Sequence, residues 1–365
     1  MKRLLFISHS NDMHGAETVG IEVIRTLHNA GHEVYVVCPS LVKPGMFEKT
    51  VVELVGNDHL LRLPYRSAGK GCIRGLFVEQ YNKKTLRQLI TFCEDKHIDI
   101  IYSNTFTTIL GIQLASRLNL PHFWHIHEPA SRDFGWWQSM RKTYRELISY
   151  KKNTTIFIST QQAEQWEKEL KTNIKGKIIY NPIKTLEIHK ITKDKTTFGF
   201  IGSFDKRKNI TLLIDCFDEL HRKNPNTELQ IVGANSSKEI ERIYGITTLT
   251  KNTLTVTQYM SAEDFYAQTD ILVLPSKSET MPLVSIEAMQ AGICVIQTKN
   301  SFMNELYEDQ KDCLFVNPQR EELLRAMEKT IREDFRQQLI SSARKKTKKY
   351  AFNDNFKTKL LQLIN

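Results

Sequence analysis

The sequence predicts an α/β protein of two domains, each built on a doubly wound parallel sheet, and three observations lead to that fold class. The chain has 365 residues, which exceeds the size at which a single hydrophobic core stops growing. Apolar, β-branched runs alternate with helical patterns from end to end, as they do in βαβ units. With 41% hydrophobic and 25% charged residues, the composition is that of an ordinary globular protein.

Each half of the chain supplies its own series of strands. In the first half, strands are predicted at residues 4–8, 33–38, 98–103, 122–127, 155–159 and 177–180. Helical patterns fill the intervals, for example at residues 16–29, which Gly31 ends, and at residues 82–95. In the second half, strands are predicted at residues 197–201, 228–232, 253–257, 271–274, 294–297 and 313–316. Three helical stretches follow, at residues 321–333, 335–350 and 355–364.

The boundary between the domains is expected between Asn181 and Lys195. Pro182 stops the preceding strand, and a polar stretch comes before the next one. We therefore assign residues 1–185 to the first domain and residues 186–365 to the second. Open α/β sheets bind ligands at the carboxyl ends of their strands, so the functional site is expected there, in a cleft between the domains.

The charge balance calls for an anionic partner. The formal net charge is +10 and the isoelectric point is near 9.1, with the densest basic clusters at residues 141–152 and 344–349. Phosphorylated substrates, an anionic lipid surface or a nucleic acid would fit such a charge, and so would a plain solvated helix face. Nucleic acid is the weaker alternative, because no zinc finger, RNA-binding aromatic signature or heptad-linked basic helix is present.

Cysteine usage and hydropathy indicate a cytoplasmic protein. The six cysteines are scattered and form no Cys-x-x-Cys pair, which favours a reducing compartment over a disulfide framework or a zinc site. The apolar run at the N-terminus is too short for a secretory signal. No apolar run reaches the roughly 18 residues that a membrane-spanning helix needs.

A glutamate pair, Glu279 and Glu287, surrounds a predicted helix start just after an apolar strand. Pro282 is expected to be the first helical residue, since it has no N–H to lose. The N–H groups around Leu283 and Val284 then face outward and suit a phosphate. This order matches a nucleoside-diphosphate sugar, with a hexose at Glu279 and ribose hydroxyls at Glu287. The alternatives are a helix-start charge interaction for the first glutamate and a solvated helix face for the second.

Two histidines mark the carboxyl end of a strand in the first half. His125 and His127 alternate along the strand, so both side chains point to one face. No third ligand of suitable spacing follows, whereas zinc normally needs three or four. An imidazole can donate to a sugar hydroxyl or stabilise developing charge near physiological pH. For His125 a structural role is favoured.

Five ordered segments resemble the retaining GT-B glycosyltransferases of family 4. One is the glutamate-pair segment itself, and the others are residues 14–17, 124–128, 180–183 and 199–209. The resemblance runs over most of the chain. It implies the GT-B fold, in which two Rossmann-like domains face a cleft. The first domain binds the acceptor, the second binds the nucleotide-sugar donor, and the last helix, about residues 351–365, crosses back onto the first domain.

The resemblance also implies roles for single residues. His127 contacts the donor sugar and the reacting centre, Glu279 orients the sugar and Glu287 binds the ribose. Lys208 counters the charge on the leaving diphosphate, which a fixed cation stabilises more in the transition state than before it. The remaining donor contacts fall on Gly15, Arg207, Gly233, Tyr259, Met281, Pro282, Leu283 and Val284. The candidate acceptor-side set combines cations with large apolar groups: Arg66, Lys70, Arg74, Leu76, Phe77, Phe134, Trp136 and Trp137.

The chain departs from the family pattern at two positions. His14 stands where the loop often carries the first of two glycines, and Ser203 stands where the family has an arginine. Arg207 is the candidate to supply the missing guanidinium. No Asp-x-Asp motif marks a metal site, so neither a metal nor another cofactor is expected. The implied reaction is a retaining transfer by front-face attack, in which the leaving phosphate accepts the proton of the acceptor.

The expected partners are a nucleoside-diphosphate sugar, with UDP as the favoured carrier, and a glycan or lipid-linked acceptor in polysaccharide or cell-surface glycan synthesis. A lipid-linked acceptor would bring the basic clusters to the anionic inner face of the plasma membrane. Two alternatives remain. A UDP-sugar 2-epimerase uses the same two-domain plan without an acceptor, and a non-catalytic basic protein would bind an anionic glycan or nucleic acid.

Overall fold

The computed structural model describes residues 1–40, 43–66, 72–130, 137–234, 236–277, 279–299 and 302–365. These residues form two compact units. The first comprises Met1–Pro182 together with Asn353–Asn365, and the second comprises Ile183–Phe352. The chain passes from the first unit to the second between Pro182 and Ile183, three residues before the boundary assigned from the sequence.

The first unit is built on a parallel sheet, and its described part has seven strands in the order β3-β2-β1-β4-β5-β6-β7. The strands are β1 (Arg3–Ile7), β2 (Glu33–Pro39), β3 (Leu60–Leu63), β4 (Ile100–Ser103), β5 (His122–Ile126), β6 (Asn153–Phe157) and β7 (Gly176–Ile178). The helices between them are α1 (Gly15–Asn29), α2 (Met46–Val55), α3 (Cys72–Asp95), α4 (Leu110–Leu118), α5 (Trp137–Ile148) and α6 (Thr160–Leu170).

The second unit repeats this plan, and its described part has six parallel strands in the order β10-β9-β8-β11-β12-β13. The strands are β8 (Thr196–Ile201), β9 (Thr227–Val232), β10 (Leu254–Thr257), β11 (Ile271–Leu274), β12 (Cys294–Thr298) and β13 (Leu314–Val316). The helices are α7 (Ile210–Lys223), α8 (Ser237–Gly245), α9 (Ala262–Gln268), α10 (Leu283–Ala291), α11 (Arg320–Thr330) and α12 (Glu333–Tyr350).

Burial on both faces explains why the central strands read as continuous apolar runs. In β1, Leu4, Leu5, Phe6 and Ile7 are all at most 1% exposed. Helices cover both faces of a doubly wound sheet, so every side chain of a central strand meets apolar neighbours. In the second unit, β11 shows the same burial along its whole length.

The strand order places a topological switch point in each unit. In the first unit β1 lies between β2 and β4, and in the second β8 lies between β9 and β11. The loops that follow the two strands at a switch point leave the sheet in opposite directions and open a crevice at the carboxyl ends. The loops after β8 and β11 therefore lie next to each other, which positions the residues described below.

The last helix, α13 (Phe352–Ile364), belongs mainly to the first unit, as the GT-B resemblance implies. Its side chains Phe356, Leu360 and Ile364 are each 1% exposed. The Nζ atom of Lys2 donates to the Ile364 carbonyl over 2.6 Å. The spacing of the three apolar residues, four positions each, gives the helix one apolar face.

The structure departs from the predicted elements in a few places. Strand β3 was not predicted, because its four residues are three leucines and an arginine, which fit a helix as well as a strand. Helix α3 begins at Cys72, ahead of the predicted residue 82. In the part of the chain that the structure describes, no helix combines the length and the apolar character needed to cross a membrane.

Candidate active site

The carboxyl ends of β8 and β11 bring Lys208 and Glu279 into contact. The Nζ atom of Lys208 donates to Oε1 of Glu279, and the two side chains are 19% and 13% exposed. The hydroxyl of the buried Ser276 donates to the same carboxylate oxygen over 2.7 Å. The sequence analysis assigned Lys208 to the diphosphate and Glu279 to the sugar. In the structure, the two side chains form an ion pair.

The loop after β8 is held together by Asp205. This carboxylate accepts from the Ser203 hydroxyl over 2.9 Å, from the Arg207 backbone N–H over 2.8 Å and from the Arg207 guanidinium over 3.1 Å. The Arg207 carbonyl in turn accepts from the backbone N–H of Lys277 over 2.7 Å, which ties this loop to the loop after β11. The Arg207 side chain is 55% exposed, and such an exposed pair costs little to open.

Helix α10 starts one residue later than predicted. Pro282 is its N-cap, with an extended ψ of 108°, and Leu283 is the first helical residue. The Pro282 carbonyl accepts from the N–H of Ser285 over 3.0 Å. No described side chain caps this helix, whereas α8 and α9 are capped by the hydroxyls of Ser236 and Ser261. The first-turn N–H groups of α10 are therefore suited to an anion.

Glu287 lies within α10 and faces the neighbouring helix α9. The hydroxyl of Tyr266 lies 3.1 Å from Oε2 of Glu287 and 3.1 Å from the carbonyl of Val284. Burial raises the pKa of Glu287 above its ordinary value, and the hydrogen bond from Tyr266 offsets part of that rise. Glu287 is half-buried and bonded to Tyr266, so it does not lie on a freely solvated helix face.

The remaining donor-side residues differ in their surroundings. Tyr259, after β10, is 85% exposed, whereas the side chain of Met281 is buried. Gly233 ends β9 with a φ of 117°, and a Cβ there would overlap the carbonyl of Gly202. Glycine is thus required at this position by the protein itself, whatever ligand lies nearby. Leu283 and Val284 are half-buried.

In the first unit, Gly15 is the first residue of α1 and is exposed. No neighbouring atom among the described residues lies within 4 Å of the position that a Cβ would occupy, so a side chain at Gly15 would meet open space. His14 is the N-cap of α1, and its side chain makes no capping hydrogen bond. The N-terminus of α1, like those of α10 and of several other helices, has no side-chain cap in the described part of the chain.

His127 follows β5 and lies beside Asn104, which follows β4. Nε2 of His127 lies 3.2 Å from Oδ1 of Asn104. The ring of His125 packs against that of His127 with centroids 4.1 Å apart, so the two histidines share a face as predicted. His125 is fully buried, and its Nδ1 lies 2.8 Å from the Tyr102 hydroxyl, which fits the structural role expected for it.

A cluster of charged groups surrounds His127. Nδ1 of His9 lies 2.8 Å from Oε1 of Glu17, a carboxylate that is fully buried. Burial lowers the pKa of His9, but Glu17 and then Glu128 raise it more, so the net shift is upward. Burial raises the pKa of Glu128 to about 7, although His9 and the N–H groups of Phe106 and His127 act against the rise.

Sequence reasoning missed several residues of these clusters, among them Ser276, Tyr266 and Asn104. Asn104 directly follows a buried strand, and the rule that singled out His127 would also have found it. Ser276 lies three positions before Glu279 in the same loop. Tyr266 carried no signal, since nothing in a sequence indicates which helix will pack against α10.

Of the candidate acceptor-side set, only Arg66 has a described side chain. Its guanidinium lies 4.8 Å from the centre of the Tyr81 ring. Lys70, Phe134 and Trp136 lie outside the described residues, and of the other four the structure describes the backbone alone.

Each half of the chain matches a known protein family. Residues 13–186 match the model of Glycosyltransferase Family 4, and residues 183–350 match that of Glycosyl transferases group 1. An alpha-monoglucosyldiacylglycerol synthase of Acholeplasma laidlawii is 23% identical over 84% of this chain and 82% of its own. An uncharacterized glycosyltransferase of Haemophilus influenzae is 25% identical over 81% of this chain and 80% of its own.

The fold has close counterparts among solved structures. The Anabaena protein HepE, in complex with UDP and glucose, superposes with a TM-score of 0.79 at 16% identity, over 100% of this chain and 99% of its own. At that identity the likeness concerns the fold. Together with the two family models, which between them span residues 13–350, it leads to one conclusion: the chain belongs to the GT-B glycosyltransferases of family 4.

Proposed function

We propose that this glycosyltransferase moves a sugar from a UDP-sugar to a glycan or lipid-linked acceptor, with retention of configuration and without a metal ion. The observation that carries the proposal is the Lys208–Glu279 pair at the switch point of the second unit, next to the uncapped start of α10. A cation, a carboxylate and a helix N-terminus are the groups that a sugar diphosphate needs.

Donor binding then exchanges the partners of this pair. The diphosphate takes the ammonium of Lys208 and the N–H groups of the first turn of α10. Glu279, held by the Ser276 hydroxyl, becomes free to accept from a hydroxyl of the sugar. Glu287 accepts from the ribose, and Tyr266 keeps its carboxylate oriented. Arg207 adds a second positive charge when its exposed pair with Asp205 opens.

In the reaction, the bond between the anomeric carbon and the phosphate oxygen breaks, and the acceptor oxygen bonds to that carbon on the same face. The proton of the acceptor hydroxyl passes to the leaving phosphate. Lys208 and the start of α10 stabilise the added negative charge on the departing nucleotide, which lowers the barrier. By resemblance, His127 contacts the reacting sugar.

UDP and the acceptor class are supported by relatives. HepE was solved with UDP-glucose, and the Acholeplasma relative is named for a glucosylated diacylglycerol. The exposed residues Arg344, Lys345, Lys348 and Lys349 lie on α12 at spacings of four, which places them along one side of the helix. Such a face suits an anionic membrane that carries a lipid-linked acceptor. Flotation with phosphatidylglycerol vesicles, against phosphatidylcholine vesicles as the control, tests this contact.

The decisive experiment is a donor screen on the full chain. UDP-, GDP- and ADP-sugars are tested for thermal stabilisation, which a bound ligand produces by mass action, and then for donor hydrolysis and transfer. We expect a UDP-sugar to stabilise the protein and to be turned over equally well in the presence of EDTA. NMR of the product should show the anomeric configuration of the donor. An epimerised donor in the absence of acceptor, an inverted product, or binding without turnover would contradict the proposal.

A further inference from the structure

The hydrogen bonds of Asn104 leave no choice in how its side chain is oriented. Asn104 is fully buried at the carboxyl end of β4, and its Nδ2 lies 2.8 Å from the carbonyl oxygen of Ala16 in α1. A carbonyl only accepts, so the atom that faces it must be the amide NH₂ group. The carboxamide oxygen therefore faces Nε2 of His127, 3.2 Å away.

This orientation decides where the proton of His127 lies. The Oδ1 atom of Asn104 is also an acceptor only, so Nε2 of His127 must carry a hydrogen in order to bond to it. In a neutral imidazole the other nitrogen then has a lone pair and no hydrogen. That nitrogen, Nδ1, is buried and has no hydrogen-bond partner among the residues that the structure describes. A buried acceptor without a partner is costly, and a ligand that donates to it removes the cost.

The charges around the ring favour the neutral form. Burial, followed by the positive charge of His9, lowers the pKa of His127 to about 3. The ring of His125 packs on that of His127, the positive charge of His9 acts on His127, and the backbone N–H of His127 donates to Glu128. The carboxylate of Glu17 is paired with His9, and that of Glu128 accepts from the backbone N–H of His127, so neither is bonded to the imidazole.

We propose that Asn104 is a positioning residue that holds His127 in the neutral, Nε2-protonated form, so that Nδ1 accepts a hydrogen bond from a hydroxyl of the bound sugar. His127 then orients a substrate hydroxyl and does not deliver a proton. The ligand half of this inference rests on the proposed function, and the tautomer half is independent of it.

Gly20 in α1 is part of the same arrangement. A Cβ at Gly20 would stand 2.9 Å from Nδ2 of Asn104, so the missing side chain leaves room for the amide to reach Ala16. A Gly20→Ala substitution should therefore disturb the hydrogen bond between Asn104 and Ala16 without touching His127 itself.

The first test is ¹⁵N NMR of the full chain labelled at histidine, with the His127 signals assigned by their loss in His127→Gln. We expect a protonated Nε2 and an unprotonated Nδ1 in the wild type. Asn104→Leu removes the acceptor opposite Nε2 and should give a mixture of tautomers. Protonation at Nδ1 in the wild type, or the same spectrum in Asn104→Leu, would overturn the inference. The wild-type measurement decides even where a variant does not fold.

The second test adds UDP-glucose or UDP to the labelled wild type. A hydroxyl that donates to Nδ1 should move the Nδ1 resonance with UDP-glucose and leave it in place with UDP. If UDP-glucose stabilises the protein thermally and Nδ1 does not respond, the accepting role is refuted, although the transferase proposal stands. If UDP-glucose does not bind, other UDP-sugars that bind take its place as the probe. Should none bind, the proposed function fails, and the tautomer remains decided by the first test.

Discussion

Lys208 donates a hydrogen bond to Glu279 although 71 positions separate them in the sequence. Both side chains are mostly buried, so the ion pair is largely shielded from water. On the proposed function, a diphosphate competes with Glu279 for the ammonium of Lys208. If Lys208 binds the diphosphate and Glu279 binds the sugar, as proposed, this pair affects both the affinity for the nucleotide and the orientation of the sugar.

This competition gives the first prediction. Glu279→Gln removes the carboxylate that competes with the diphosphate for Lys208. UDP has no sugar that could contact Glu279, so it should bind this variant several-fold more tightly than the wild type, as measured by calorimetry. Turnover of a UDP-sugar should nevertheless fall, because the carboxylate that orients the sugar is gone. Lys208→Met should weaken UDP binding and lower turnover about 100-fold, the usual effect of removing one electrostatic group from an active site. Glu328→Gln, which removes the same charge from an exposed pair with Lys223, is the control. Weaker UDP binding by Glu279→Gln would contradict this account.

The second prediction concerns the ribose. If Glu287 accepts from a ribose hydroxyl, the wild type should prefer UDP over 2′-deoxy- or 3′-deoxy-UDP by about tenfold or more, as expected for a hydrogen bond to a charged group. Glu287→Gln should lose most of that preference. Tyr266→Phe removes the neighbouring hydroxyl but leaves the carboxylate, so it should keep the preference. A preference that survives Glu287→Gln unchanged would assign the ribose contact elsewhere.

The third prediction separates packing from ligand binding at Gly233. An alanine there meets the Gly202 carbonyl at a backbone angle that side chains rarely adopt, so Gly233→Ala should lower the free energy of unfolding by roughly 2 kcal/mol or more. Gly245→Ala is the matched control. It lies in α8 with open space around it and should stabilise the protein by about 0.5–1 kcal/mol. Thermal unfolding measures both, and equal melting temperatures for the two variants would refute the packing argument.

The fourth prediction concerns the pH dependence of stability. His122 is fully buried between the Ser103 hydroxyl and the Asn153 amide, and burial lowers its pKa to about 4. The folded-state pKa lies below the unfolded value, so the contribution is present above about pH 6.5 and is lost as the pH falls toward 4. It amounts to about 3 kcal/mol.

Urea unfolding at several pH values checks this expectation. The difference in stability between the wild type and His122→Gln should shrink as the pH falls from 6.5 to 4. The same replacement at the exposed His189 is the control. Parallel pH profiles of the wild type and His122→Gln would contradict the prediction.

Much of the fold could be predicted because the central strands are buried on both faces. β11 matches its predicted limits, and β8 and β12 differ from theirs by one residue. The period and composition of such runs carry the signal. At the edge of the first sheet that signal fades, which is why β3 was missed. Helix limits also shift by a residue, as at Pro282, which is the N-cap of α10 and not its first helical residue.

The site could be predicted only as a set of separate residues. The motifs singled out Lys208, Glu279, Glu287 and His127, each at the carboxyl end of a strand or on the helix that follows. Which of them touch depends on strand order, and strand order is fixed by the packing of the whole sheet. The contacts of Lys208 with Glu279 and of His127 with Asn104 are both determined by the tertiary structure in this way.

The segment Asn353–Asn365 completes a unit whose other residues are synthesised first. During translation, Met1–Pro182 must wait for the whole of Ile183–Phe352 before the helix that bonds to Lys2 exists. Domains generally fold as units while the chain is being made, so the first unit here should acquire its final stability last. A ribosome that stalls within α13 would leave the second unit complete and the first unit without its last helix.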